Sequence, residues 1–435
     1  MITLLALPPF QHLMAFGNSD QESFRDPRVR ECFDVMTVPG TIASYYDEAT
    51  AAFVLSSKIS YLIDPRTPLF QEELAVPRAS HRTLADWHGP SVRAQLPAKE
   101  NKSPAYFPAS FFIPAVVREM VGEVVGRQCA YAGNAPRVTK KLDRYARLLA
   151  QAMQQQQAPV PAGDPAAPTA VLAPYFAVTG TADPWFSVLR EVWTQCAALA
   201  SPRTISPVLC VGPRQEQTSS GTVTVDGIAV LGELLPRLPQ DLARTCYIWI
   251  TNLDERAAHE DQLRRLWRTV QARPGGVELI NLYGGFFSIC LRYAGLTGFG
   301  NGLTYSESRA WPALSSTGSA PPRYYIRALH LFLPPAAAQA LVTAEPAFEC
   351  PCEACVEGRA RGQSIASMPY HSLKRHFAYA RRWELDLVAQ NQPGFVAASM
   401  TTAKQRLDVV QRVLPRGVSP QCEHLTNWAN VLLEP

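Results

Sequence analysis

The sequence predicts an α/β fold, a (β/α)₈ barrel of the TIM type followed by a C-terminal zinc-binding subdomain. Three observations predict it. Apolar, β-rich runs alternate with helical segments, which implies parallel strands with helices packed outside them. At least six such units occur in one chain, which favours a barrel over an open sheet. Late in the chain, Cys350, Cys352 and Cys355 form a C-x-C-x-x-C cluster ahead of a helix-borne histidine, a spacing suited to one metal ion.

The elements follow in order. The opening MITLLALPPFQHLMAF has no basic start and no small-residue cleavage site, so it reads as a first strand or a buried segment. AAFVLSSKISYLID (51–64) carries a β-rich run ending in Asp64. VLAPYFAV (171–178) precedes the helical DPWFSVLREVWTQCAALA. ISPVLCVG (205–212) comes next. CYIWITNL (246–253) then leads into the amphipathic DERAAHEDQLRRLWRTVQA. Asp254 and Glu255 are read into the first turn of that helix, where acidic groups suit the dipole. GVELINLYGG (276–285) and GLTGFGNGLTY (295–305) are the last strand candidates. Barrel chemistry sits where strands end. Asp64, Asn252, Asp254, Asn281, Asn301 and Glu307 fall at or near such ends.

Residues 1–345 are assigned to the barrel, with a Gln/Pro/Ala-rich loop at 154–169 that has nothing to bury. WPALSSTGSAPPR (311–323) reads as a second loop. Residues 346–435 are assigned to the zinc-binding subdomain and a C-terminal helical segment. The 435 residues are 47% hydrophobic and 18% charged, which excludes a wholly disordered chain. No run approaches a membrane span, so no membrane partner and a cytoplasmic location are expected. A net charge of +4 permits a nucleic-acid partner without requiring one. Seven of the ten cysteines are scattered singly, as buried free thiols are, and no disulfide framework is expected.

Three converging sulfurs need a fourth ligand. His376 lies 21 residues beyond Cys355 in SLKRHFAYARRWEL, and His371 competes with it. Five residues turn a helix by about 140°, so one face presents only one of the two, and His376 is preferred. Thiolates with one imidazole favour zinc over an iron–sulfur cluster. A closed four-ligand site has no open position for water and is structural.

The C-x-C-x-x-C cluster, the later histidine and the preceding (β/α)₈ pattern together resemble the tRNA-guanine transglycosylase superfamily, over roughly residues 40–385. The LKRHF context of His376 resembles the LARHN segment of its archaeal branch. The superfamily also includes paralogs that insert 7-deazaguanines into DNA. The resemblance implies residue roles. SYLIDPRTPLFQ stands for the family's Asp-Ser-Gly-Gly-Phe-Gln segment, so Asp64 would be the acid/base, with Phe70 and Gln71 at the base. The glycines are absent and two extra residues intervene, and Asp64 is equally placed for an Asx-turn before Pro65. ITNLDER sits where a glycine-rich segment would, so Asp254 either faces the pocket or caps a helix. NLYGG offers Gly284 and Gly285 for close approach to a ligand. GLTGFGNGLTYSESR follows the strand that carries the family's nucleophilic Asp. Aligned on Phe299, that position falls on Gly300, with Asn301 beside it, and neither can attack a sugar.

Base exchange needs a carboxylate at C1′ and an acid/base for the purine. Glu307 with Asp64 could form a relocated pair, with Arg309 holding a phosphate; otherwise Glu307 pairs with Arg309 or solvent in a loop. Lys374, Arg375, Arg381 and Arg382 lie beside the expected zinc site and would contact a nucleic-acid backbone, or else form a solvated helix face. Two functions stay open. One is exchange of guanine for a 7-deazaguanine in tRNA or DNA. The other is a non-catalytic paralog that binds nucleic acid or partners an active subunit, and a homodimer or heteromer suits either. A third possibility is an enzyme acting on a free nucleoside.

Overall fold

The computed structural model describes residues 9–17, 20–131 (without Glu72, Ala75, Glu100 and Lys102), 168–218, 221–303 (without Ala243), 307–309, 321–412, Leu414 and 420–435. The loop expected at 154–169 falls almost wholly outside the described residues, as do most of 311–323 and Tyr305.

Eight strands build the main sheet, numbered here in chain order: β1 (Gln11–Ala15), β2 (Val35–Pro39), β3 (Tyr61–Asp64), β4 (Ala177–Val178), β5 (Val208–Val211), β6 (Thr245–Ile250), β7 (Glu278–Asn281) and β8 (Gly298–Gly302). Their order across the sheet is β3-β2-β1-β8-β7-β6-β5-β4, and every pairing is parallel. Parallel strands covered on both faces read as unbroken apolar runs. Val208 to Val211 and Cys246 to Ile250 are of that kind, and all are buried. The sheet is curled, because residues of β1, β2, β3 and β8 and of the segment just after β7 line one small cavity at its C-terminal end.

The two edge strands, β3 and β4, are neighbours in sequence. Among the described residues no ladder joins them, so the structure gives a curled half-barrel where a closed cylinder was expected. Bonds nevertheless cross the gap. Thr169 N donates to Tyr61 O at 2.8 Å, and Gln71 Nε2 donates to Ala177 O at 2.9 Å while its Oε1 accepts from Ala177 N.

Two local expectations are corrected. Residues 51–57 are not strand but belong to the helix Asp47–Ser57, whose alanines favour helix over the few β-branched residues. Asp254 and Glu255 precede their helix, which begins at Glu260. Beyond β8, the hairpin Tyr324–Ile326/Leu331–Leu333 leads to the helix Glu353–Ala360, the long helix Tyr370–Gln390 and two further C-terminal helices, Pro393–Val410 and Glu423–Leu433. No described helix is long and apolar enough to cross a membrane.

Candidate functional site

The chain builds a metal-ligand cluster where the sequence places it. Cys352 is the N-cap of the helix Glu353–Ala360, and Cys355 lies in its first turn. The Tyr370–Gln390 helix brings in His376, whose Nδ1 is 3.3 Å from both the Cys352 and Cys355 sulfurs. One donor atom from each of Cys350, Cys352, Cys355 and His376 lies within 4.8 Å of the others. Four ligands around one Zn²⁺ with bonds near 2.3 Å are separated by about 3.5–4 Å, so the spacing fits a shared ion. His376 Nε2 donates to Tyr325 O at 2.7 Å. That bond leaves Nδ1 as the ligating lone pair, the arrangement that orients metal-bound imidazoles. Tyr324 stacks on the His376 ring at 4.1 Å and its hydroxyl lies 3.3 Å from the Cys355 sulfur. His371 is exposed at the helix start and takes no part.

Hydrogen bonds from Cys352 and Cys355 hold the Cys350 thiol far below its ordinary range. Burial pulls the His376 imidazole down, but bonds to the Cys350 and Cys352 sulfurs outweigh it and raise the ring to about 10. A bound cation would take the place of the protons shared among these donor atoms.

The second centre is the C-terminal end of the sheet. Asp64, at the end of β3, is buried. Its Oδ2 pairs with Arg66 Nε at 2.6 Å; its Oδ1 accepts from Arg66 N at 3.1 Å and from the Tyr175 hydroxyl at 2.6 Å. The Asx-turn and the buried ion pair thus coexist. Arg66 holds a left-handed backbone at φ 56°, a strained conformation for a side chain of this size and typical of functional sites. Asp64, Arg66, Thr37, Tyr283, Gly300 and Asn301 enclose a cavity of about 10 Å³, room for about one water molecule. Asn301 is buried against His12, 2.9 Å from its Nε2. Burial pushes the Arg309 guanidinium down, and the neighbouring Arg66 adds to that.

Glu307 has its own set of partners. Its carboxylate pairs with the buried Arg381, and its Oε2 is 3.9 Å from Arg256 Nε. The two carboxylates have different partners: Asp64 is held by Arg66 and Tyr175, and Glu307 by Arg381. Beside Glu307, Glu255 is buried; its Oε2 accepts from Gly285 N and Ser288 N at 3.0 and 3.2 Å. Burial leaves its carboxyl above the usual range in spite of those bonds.

Several expected ligand contacts are structural. Phe70 packs edge-on against His88 and Phe107 in the core. Gln71 is spent on the β4 backbone. Asp254 Oδ1 accepts from Arg256 N at 3.0 Å, in the turn after β6, and neither caps the following helix nor lines the β3 cavity. Gly284 N donates to Gly300 O at 2.9 Å, so these turns bind each other. The basic patch is also corrected. Lys374 is buried on Asp20 at 2.6 Å, Arg375 reaches Glu357 at 2.6 Å, and Arg381 is wholly buried. Only Arg382 of the four is substantially exposed, paired with Asp386 at 3.3 Å.

Sequence reasoning missed Arg66, Tyr175, Arg256 and Glu384 as partners of the candidate carboxylates and of Arg381. For Glu384 a signal was present, because Arg381 and Glu384 are spaced i,i+3 on a helix. The chain matches no family model and no curated protein in sequence.

Proposed function

We propose that the chain is a divergent member of the tRNA-guanine transglycosylase superfamily, acting on a guanine or 7-deazaguanine base in tRNA or DNA. One observation carries this reading. The eight parallel strands follow chain order around the sheet, with β3 and β4 left at its two edges, and the Cys₃His cluster follows the eighth strand in sequence, beyond the hairpin Tyr324–Ile326/Leu331–Leu333. Joining β3 to β4 would complete a (β/α)₈ barrel with its metal subdomain in that family's position. Zn²⁺ suits the cluster because three thiolates and one imidazole are borderline-soft tetrahedral donors. When bound there, with all four positions taken by protein, zinc supplies structural cross-linking. A cytoplasmic setting suits the free thiols.

In base exchange, an oxygen of Glu307 would bond to C1′ as the C1′–N bond breaks, and the departing base would take a proton at the bond's nitrogen. Asp64, at the end of β3, would donate that proton from its neutral carboxyl; the incoming base's nitrogen would then bond to C1′ as the C1′–O bond to Glu307 breaks, and Asp64 would take back the proton that nitrogen loses. Both carboxylates are held by arginines, Asp64 by Arg66 and Glu307 by Arg381. A second reading, a non-catalytic paralog that binds nucleic acid or an active subunit, is favoured by Gly300. A Cβ built there would meet Leu282 O at 2.7 Å, which leaves no room for the family's aspartate.

A labelled-guanine exchange assay on tRNA and on duplex DNA separates the two. Exchange that falls at least about tenfold in Asp64→Asn and in Glu307→Gln supports an enzyme, since acid/base and nucleophilic roles are worth that much or more. Absence of exchange on both substrates sinks it. Retention of either nucleic acid, weakening with salt, then leaves the binding paralog.

A further inference from the structure

We infer that Arg381 is a positioning residue that couples the Cys₃His centre to Glu307 at the C-terminal end of the sheet. The inference stands on the cluster's geometry and does not depend on base exchange. His376 and Arg381 lie on one helix, Tyr370–Gln390. From His376 the path runs through Tyr325, whose carbonyl accepts the Nε2 proton at 2.7 Å. The Tyr325 hydroxyl donates to Glu384 Oε1 at 2.8 Å, and His330 Nδ1 lies 2.6 Å from the same oxygen. Glu384 Oε2 then takes Arg381 Nη1 at 2.5 Å. The other arm of Arg381 grips Glu307. The guanidinium lies 4.9 Å from the Tyr325 ring centroid and 5.0 Å from that of Phe377. Tyr325, Glu384 and Arg381 are all essentially without solvent exposure.

Such a chain has few alternative arrangements. A buried charge that loses its partner is costly, so Arg381 cannot rotate away from Glu384 or Glu307 unless the helix itself moves. The metal ligand His376 and the backbone of Tyr325 fix that helix against the hairpin. An occupied cluster therefore holds Arg381 in register and, through it, the Glu307 carboxylate. An emptied cluster frees the helix and with it the Glu307 carboxylate. Coupling of this sort is reciprocal: whatever the metal does for the Arg381–Glu307 contact, that contact does for metal affinity.

The test is the Zn²⁺ dissociation constant of the full chain, measured by competition with a chromogenic chelator. None of the substituted residues touches a ligand atom. Arg381→Met is expected to weaken zinc binding about 5- to 150-fold, the usual range for coupled sites. Arg381→Lys keeps the charge without the two-armed fork and should fall between. Arg382→Ala, on the exposed face of the same helix, should stay within about twofold of wild type. Folded Arg381→Met with wild-type affinity overturns the proposal, as does equal weakening by Arg382→Ala. Should Arg381→Met not fold, Glu307→Gln at the far end of the path decides: weaker binding supports the coupling, and unchanged binding refutes it.

Discussion

At position 300 the β8 backbone passes so close to the Leu282 carbonyl that a Cβ would lie 2.7 Å from its oxygen. Glycine is there because two neighbouring strand ends need the space. Gly300→Ala should cost about 1–3 kcal/mol, as overpacking does, read from a denaturant midpoint. A stability unchanged within about 0.5 kcal/mol would show that the strand gives way freely. At this scale the sequence was partly legible. Asp64, Asn301 and Glu307 could be picked out because polar residues closing apolar strands stand out against them. Their partners could not, because Tyr175 and Arg381 reach Asp64 and Glu307 from distant elements, and only the fold brings them there. The left-handed turn at Arg66 also left no mark, since such turns usually advertise themselves with glycine or asparagine.

The Tyr370–Gln390 helix shows the same division one level up. Its His376 was preferred over His371 as the fourth ligand, and the structure places it in the cluster. Its basic residues, Arg382 apart, were misread as a surface. Helical spacing puts Lys374, Phe377, Arg381, Glu384 and Val388 on one face, and all five are buried. Counting in steps of three and four, rather than counting charges, would have revealed that face. The burial of that helix is tied to the cluster, so loss of one ligand should act on folding itself. Cys352→Ser is expected to lower Tm by roughly 5 °C or more, alongside metal content well below one equivalent by elemental analysis. A variant that melts like wild type would mean that the cluster does not hold this part of the chain.

Across the whole molecule, most strands were readable, because each strand-plus-helix unit is local and its polarity pattern repeats, but β2 (Val35–Pro39), a run of only five residues, was not picked out. Closure was not, since it depends on what happens between β3 and β4. A property that also emerges only at this scale is acid sensitivity. His88 and His424 lie in separate parts of the fold, and burial pushes each down to about 4. His88 Nδ1 donates to Leu84 O at 2.8 Å and its Nε2 faces the Thr67 hydroxyl; His424 Nε2 donates to Leu329 O at 2.9 Å. Both are neutral in the fold. Above about pH 6.5 they are neutral in the unfolded chain too and cost nothing. Between pH 6.5 and 4 the unfolded chain takes up protons that the folded one refuses, so stability falls with falling pH. The loss is on the order of 3 kcal/mol for each ring once the pH is below both values. Urea unfolding at pH 7 and pH 5 should therefore show wild type losing more stability than His88→Gln/His424→Gln. The variant's deficit at pH 7 should shrink at pH 5. A deficit that stays constant across that interval would assign the acid loss to other groups.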